Sequence, residues 1–238
     1  MSNNKVAVVT GAARGIGKAI SQQLLADGFT VVAVDIATVE WSSDKLISYQ
    51  LDLCDKAAIE ALVNKLNADN LSVSVLVNNA GITRDALLND MTESDWDCVL
   101  DVNLKAVFLL TQQIVPIMQQ AGEGSIINIS SIVGTDGNIG QSNYAASKGG
   151  VIAMSKGWAK EFPRKGAKIR VNCIAPGFIE TEMTSELPEK VIDLMKSKTP
   201  LARMGQAQDI ADGVSFLASE KSRFITGQVL KIDGGLVI

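Results

Sequence analysis

Histidine is missing altogether from this 238-residue chain, and its absence removes several chemistries at once. A Ser-His-Asp triad has no imidazole base to work with. Without histidine and without a Cys-x-x-Cys spacing, the usual ligands of a zinc site are missing too. A carboxylate-only Mg²⁺ site is left open, but nothing points to one. Cysteine is sparse: Cys54, Cys98 and Cys173 are odd in number and widely spaced. That pattern fits reduced thiols of a cytoplasmic protein better than a disulfide framework, and all three read as packing or surface residues. Aromatic residues make up 5% of the chain, with only two tyrosines, Tyr49 and Tyr144. The apolar runs, such as 73–77 and 107–110, are far too short to span a bilayer. Lys5 leads straight into a strand-like pattern, with no secretory hydrophobic region before it. Positive charge is also scarce. A formal net charge of −4 and the lack of a dense Lys/Arg cluster argue against nucleic acid or an anionic membrane as the main partner.

What is present is enough hydrophobic sequence, 47%, for one large α/β domain with a substantial core. Runs at 5–10, 30–34, 47–51, 73–77, 125–129, 169–174 and 228–232 read as strands, and longer helical patterns separate them. Strands apolar on both faces, alternating with helices, imply a parallel sheet with right-handed crossovers. The expectation is therefore a single doubly wound Rossmann-type domain over 1–238, with a parallel seven-stranded sheet flanked by helices on both faces. Asp55 is placed to cap a helix over 56–66, Thr92 with Asp95 resembles a capping box, and Gly28 can close the first helix. Two long helical segments, 94–120 and 143–162, carry many small residues, which suit packing on the sheet and equally a subunit interface. Residues 179–201, with Met183, Leu187, Val191, Leu194 and Met195 among charges and with Pro188 and Pro200 interrupting, read as an amphipathic flap.

The turn Thr10-Gly11-Ala-Ala-Arg14-Gly15-Ile16-Gly17 follows the first strand and opens the first helix. Gly11 permits the tight turn, Gly15 lets backbone approach a phosphate, and Gly17 allows close helix packing. The helix N-terminus then offers free N–H groups and a positive dipole end to a pyrophosphate. Asp35 ends the second strand, where a carboxylate can accept from the ribose hydroxyls of the adenosine half. It would repel a 2′-phosphate, whereas Arg14 could pair with one. The carboxylate acts more directly, so NAD(H) is favoured over NADP(H). Asp52, after the third strand, fits either a contact to the adenine amino group or a plain turn role.

Ser131 lies just beyond the strand-like run Ser125-Ile-Ile-Asn-Ile129, where α/β sheets place their chemistry. Downstream come Tyr144 and Lys148. If Tyr144 opens a helix, Lys148 sits one turn along the same face, where its ammonium can act on the phenol. Lowering a phenol by roughly three pH units takes about 4 kcal/mol, which a close, partly desolvated cation and the field of a bound cofactor can supply. Tyr-x-x-x-Lys is also an ordinary pair on an amphipathic helix, so the spacing alone does not decide the matter.

Taken together, the glycine turn, Asn78-Asn-Ala-Gly81, Asn103, Ser131, Tyr144-x-x-x-Lys148 and Pro176-Gly177 resemble a short-chain dehydrogenase/reductase over essentially the whole chain. Asn78 through Asp85, Ala175 through Met183 and Ile225-Thr-Gly-Gln look like the 3-oxoacyl-acyl-carrier-protein reductase branch, with acetoacetyl-CoA reductases close by. The resemblance implies roles. Tyr144 is the general acid/base, Lys148 lowers its pKa and holds the nicotinamide ribose, Ser131 binds the substrate oxygen, and Asn103 holds a water in a proton relay. Gly11, Arg14, Gly15, Ile16, Gly17, Asp35, Asp52, Leu53, Asn79, Ala80 and Gly81 line the cofactor together with Tyr144 and Lys148. Pro176, Gly177, Ile179 and Thr181 border the nicotinamide. The implied activity is reduction of a 3-oxoacyl thioester on acyl carrier protein or CoA, as in fatty acid biosynthesis, by a homotetramer in the cytoplasm. The alternative is an NAD-dependent dehydrogenase of another secondary alcohol or ketone. Two departures bear on the substrate. Gln119-Gln-Ala-Gly-Glu123-Gly lacks the basic residues with which such reductases greet an acidic carrier, leaving Arg164, Lys165 and Lys168 as a substitute patch. Asp35 departs from the NADPH commonly used in this branch.

Overall fold

Stretches apolar at nearly every position can be satisfied only by burial on both faces, and the central strands of this protein are of that kind. In the computed structural model, which describes residues 5–185 and 188–237, β1 (Val6–Thr10), β2 (Thr30–Asp35), β4 (Val73–Asn78) and β5 (Glu123–Ile129) are almost wholly buried. With β3 (Leu46–Gln50), β6 (Lys168–Pro176) and β9 (Val229–Ile232) they form one seven-stranded sheet in the order β3-β2-β1-β4-β5-β6-β9. All its pairings are parallel. The order reverses between β1 and β4, and the loops leaving their C-terminal ends diverge there into a crevice.

Two cores result. Val8, Val32, Leu76, Ile126 and Val171 face one side, against Leu62, Leu110, Ile114 and Phe162. These come from α2 (Lys56–Ala68), α4 (Ala106–Ala121) and the 3₁₀ turn Phe162–Lys165 that follows α6 (Ser142–Glu161). Val9, Val31, Val77 and Ile127 face the other, against Ile20 and Leu24 of α1 (Gly15–Ala26) and Ile210 and Val214 of α9 (Ala207–Ala218). The caps form where the residue types place them. Asp55 accepts from the N–H groups of Ala57 and Ala58, and Thr92 accepts from Asp95 at 3.1 Å before α3 (Glu93–Leu100). Gly28, at φ +94°, ends α1 with Phe29 N–H donating to the Leu24 carbonyl.

Two features depart from the expected pattern. The long helix is interrupted by a π-turn at Asp101–Lys105, an irregularity that tends to occur at functional sites. By length and composition the run Glu93–Ala121 is apolar enough to cross a membrane. It nevertheless packs on the sheet through buried Val107, Leu110, Ile114 and Met118, so it is a core helix. The described residues of 179–201 include β7 (Ile179–Glu180), α7 (Glu182–Ser185) and α8 (Glu189–Lys198), with Pro188 just before α8. A two-stranded pairing of β7 with β8 (Gly205–Gln206) pins its base. Leu187 and the Met183 side chain, both counted in its apolar face, lie outside the described residues.

The substitute basic patch is displaced. Lys168 begins β6, and Arg164 and Lys165 precede it. In a parallel sheet that is the end opposite the crevice, so these residues do not border this chain's own cleft.

Candidate active site

The β1–α1 turn is built around what cannot be added to it. Gly11 and Gly15 hold φ of +65° and +54°, where a side chain is strained. A Cβ on Gly17 would stand 1.9 Å from the Gly11 carbonyl oxygen. Thr10 ties this turn to the neighbouring loop: its Oγ1 accepts from the N–H groups of Asn79 and Ala80 at 3.0 and 3.1 Å. Asn79 Nδ2 returns bonds to the carbonyls of Thr10 and Gly11. Backbone is thus laid bare along one wall of the crevice.

That crevice is a cleft of about 720 Å³, in the size range of a ligand site. Its lining includes Gly11, Arg14, Gly15, Ile16, Gly17 and Asp35, then Asp52, Leu53, Asn79, Ala80 and Gly81. It continues through Ser131, Tyr144 and Lys148 to Pro176, Gly177, Ile179 and Thr181. The bare backbone beside a helix N-terminus and an acidic residue at the end of β2 fit a dinucleotide along its length. Asp35 is oriented by backbone, Oδ2 accepting from Ala13 N–H and Oδ1 from Ala37 N–H, each at 2.9 Å. Asp52 spends Oδ1 on Cys54 N–H at 2.8 Å, the turn role among its two readings. Arg14 reaches over the cleft to Glu182 of the flap at 3.2 Å, a contact invisible in the sequence because 168 positions separate the pair.

At the other end, β5 and α6 are tied together. Ser130 Oγ donates to the Lys148 carbonyl at 3.0 Å, and Lys148 Nζ donates to the Ile129 carbonyl at 2.8 Å. Gly134 permits the approach, since a Cβ there would meet the Lys148 backbone at 2.7 Å. Ser131 follows β5 and accepts from Val133 N–H at 3.1 Å. Beneath them runs a buried amide relay that the sequence reading missed: Asn78 Nδ2 donates to Asn128 Oδ1 at 2.7 Å, and Asn128 Nδ2 donates to Ser155 Oγ at 2.7 Å. Its signal in the sequence is an asparagine at or next to the C-terminal end of each of two strands, after a run of apolar residues.

Asn103 lies on the π-turn, fully buried and behind the cleft wall. Its Oδ1 accepts from Ile82 N–H at 2.8 Å, and its Nδ2 donates to the Ile82 carbonyl and to Ser147 Oγ. It therefore anchors the loop after β4 to α6. Gly81 is small for the same reason: a Cβ would come 3.2 Å from Asn103 Oδ1 and 3.3 Å from Lys148 Nζ.

Burial sets the protonation pattern of the protein groups taken alone. Lys148 Nζ lies 5.7 Å from the centre of the Tyr144 ring, but the phenol is raised, not lowered. Burial dominates, the Ser131 hydroxyl pulls in the opposite direction, and the Asp85 carboxylate adds to the rise. Burial also lowers Lys148 from 10.5 to about 8. The Lys148 ammonium itself donates to the Ile129 carbonyl. The sign has a consequence for stability. Below about pH 8 the fold bears the full cost of a buried ammonium, and between there and 10.5 the unfolded chain binds more protons, so this contribution grows with pH. Cys173 works oppositely: raised from 9.0 to about 11 by burial, it favours the fold below pH 9 and loses that through pH 11. Comparison with Lys148→Met isolates the lysine. In urea unfolding, the advantage of the variant over the wild type should shrink by about 1 kcal/mol from about pH 7.5 to about pH 9; a constant difference would contradict the buried charge.

The architecture and the cleft define a doubly wound α/β protein with a dinucleotide-shaped crevice and a Ser/Tyr/Lys cluster at one end. Comparison with known proteins agrees. Residues 11–237 match the family model described as enoyl-(acyl carrier protein) reductase. A 3-oxoacyl-[acyl-carrier-protein] reductase of Thermotoga maritima is 51% identical, with 98% of each chain covered. Reductases of the same name from Staphylococcus aureus and Escherichia coli are each 43% identical, covering 99% and 98% of this chain and 99% and 97% of their own. The chain belongs to the short-chain dehydrogenase/reductase family.

Proposed function

We propose that the protein reduces the 3-oxo group of an acyl thioester carried on acyl carrier protein or CoA to the 3-hydroxyl. The observation that carries the reading is the convergence of Ser131, Tyr144 and Lys148 at one end of the same cleft whose other end is the glycine turn. The names of the relatives and of the family model all place an acyl group on acyl carrier protein. A nicotinamide cofactor supplies the hydride. The protein's own residues position and protonate. Gly11, Gly15, Ile16 and Gly17 cradle the pyrophosphate, while Asn79, Ala80 and Gly81 with Pro176, Gly177, Ile179 and Thr181 border the nicotinamide half. Ser131 hydrogen-bonds the substrate carbonyl oxygen as charge develops there. Tyr144 gives its proton to that oxygen, and Lys148 holds the ribose and offsets the phenolate. Asn103 keeps one Oδ1 lone pair beyond its bond to Ile82, which suits the water of a proton relay.

NAD(H) is the favoured cofactor over NADP(H). Asp35 faces the adenosine end with its carboxylate fixed by two amides, and Arg14, the group that would greet a 2′-phosphate, is engaged by Glu182. Leu53 and Asp52 enclose the adenine. Asp35→Asn keeps an acceptor and removes the charge; it should raise kcat/KM with NADPH relative to NADH by at least about tenfold, the equivalent of 1.4 kcal/mol. An unchanged ratio would assign the choice to Arg14 or another residue. The acting unit is one domain over 1–238, with 179–201 as its substrate flap, in a cytoplasmic homotetramer built on α4 and α6. The test of the substrate class is steady-state turnover of acetoacetyl-CoA and a 3-oxoacyl carrier protein beside simple ketones, each with NADH and NADPH. Preference for a simple ketone would replace this reading with a dehydrogenase of another secondary alcohol.

A further inference from the structure

The chain just beyond β9 meets both ends of the segment 179–201. On the entry side, Gly177 N–H donates to the Ile232 carbonyl at 3.0 Å, and a Cβ on Gly177 would stand 2.6 Å from Asp233 Cα. On the exit side, Leu201 N–H donates to the Gly234 carbonyl at 3.2 Å. A Cβ on Gly234 would lie 2.7 Å from Thr199 Cγ2, and one on Gly235 would lie 3.1 Å from the Pro200 ring. The exit also carries strain. Ala202 holds φ +52°, a left-handed conformation that a non-glycine residue keeps only where its surroundings enforce it. Gly234 and Gly235 hold φ of +64° and +83°, and two such glycines in a row lose much conformational freedom on ordering. Asp233 offsets that loss: Oδ1 accepts from Gly235 N–H and Oδ2 from Val237 N–H, each at 3.0 Å.

We propose, resting on the reading of 179–201 as the substrate flap, that Asp233 is a positioning residue for that flap. Its carboxylate folds the turn that presents the Gly234 carbonyl to Leu201 and seats Thr199 and Pro200. The exit of the flap is thereby fixed relative to an entry already held by Ile232, and both ends are kept at one spacing. The β7–β8 pairing and the Arg14–Glu182 ion pair hold the first part of the segment; the C-terminal turn holds the last. Asp233 stands outside the cleft lining, whereas Ile179, Thr181 and Glu182 of the flap belong to it, so the carboxylate acts on the cleft through backbone. Lys231 keeps the tail in place independently. Its ammonium donates to the Val237 carbonyl and pairs with Asp136 of α5 (Val133–Asp136), each at 3.2 Å. Substituting Asp233 therefore removes the fold of the turn and leaves the course of the chain.

The test is limited trypsin digestion of the native protein, with cut sites assigned by mass spectrometry. Lys190, Lys196 and Lys198 are exposed on α8, and Lys56 and Lys65 are exposed on α2. Asp233→Ala removes both charge-assisted acceptors. Cleavage on α8 should quicken by about fivefold or more, while cleavage on α2 keeps its wild-type rate. Asp233→Asn, which keeps one acceptor, should fall between. Ile114→Val, a buried substitution on α4, controls for general loss of stability and should show no such selectivity. In the Asp233→Ala enzyme, kcat/KM for the thioester should fall about tenfold while NADH affinity stays within about threefold. Equal quickening on α2 and α8, none on α8, or the same selectivity in Ile114→Val overturns the anchor. Selective quickening with unchanged kcat/KM, or with an equal loss of NADH affinity, overturns the positioning of the flap. The digestion needs neither substrate nor cofactor, so its failure is distinct from a failure of the thioester reading, which would show as a wild-type protein inactive on thioesters.

Discussion

Tyr144→Phe is expected to bind dinucleotide as the wild type does and to lose about 10²–10⁴-fold in kcat. The two halves of that result come from different atoms. The ring packs beside the cleft and is retained in phenylalanine, so the shape of the site is kept. In the proposed reaction the hydroxyl is the acid that protonates the oxygen bound by Ser131, and no histidine exists anywhere in the chain to take its place. Steady-state rates alongside a fluorescence titration of NADH separate the two halves. Turnover within about tenfold of wild type would contradict the assignment of Tyr144 as acid, and a matching loss of NADH affinity would mean that the substitution had damaged the cleft instead.

The second large effect is expected from a single methyl group. In Gly17→Ala the new Cβ would stand 1.9 Å from the Gly11 carbonyl oxygen and 2.6 Å from Asn79 Nδ2. No rotamer relieves this, because both the offending atom and the added one are fixed by backbone. The turn must move away from α1, which breaks the bonds from Asn79 to the Thr10 and Gly11 carbonyls and disturbs the turn proposed to cradle the pyrophosphate. Overpacking of a rigid contact costs about 3 kcal/mol or more when nothing can yield. A loss of 2.7 kcal/mol in binding corresponds to about 100-fold in affinity, and dinucleotide affinity should fall by at least that much. Thermal unfolding and NADH titration check both. A variant with wild-type melting temperature and affinity would show that the turn is not built as described.

Much of this was legible in the residues. The strands lie within a residue or two of the apolar runs because burial on both faces leaves the sequence no other pattern. Gly28, Asp55 and Thr92 end or begin helices by local bonding alone, which a short window contains. Gly11, Gly15 and Gly17 could be read for the same reason. The cofactor-lining residues drawn from the resemblance all fall on one cleft. What was hidden depends on partners far along the chain. The Arg14–Glu182 contact and the Asn78–Asn128–Ser155 relay each join elements that periodicity cannot bring together. The π-turn that carries Asn103 has no local signature, since Asp101-Val-Asn-Leu-Lys105 would serve equally in an α-helix. The burial that raises the Tyr144 phenol is hidden too, since the spacing to Lys148 shows only the cation. Likewise Lys168 looked near the site until the sheet showed that it starts the strand whose far end forms the cleft.

The most direct measurement is a crystal structure of the protein with bound dinucleotide. The account predicts the pyrophosphate on the Gly11–Gly17 turn, the adenosine ribose at Asp35, and the nicotinamide between Pro176-Gly177 and the Tyr144 hydroxyl, with Lys148 on its ribose. A nicotinamide lying away from Tyr144 and Ser131, or a cofactor bound outside this cleft, would contradict it.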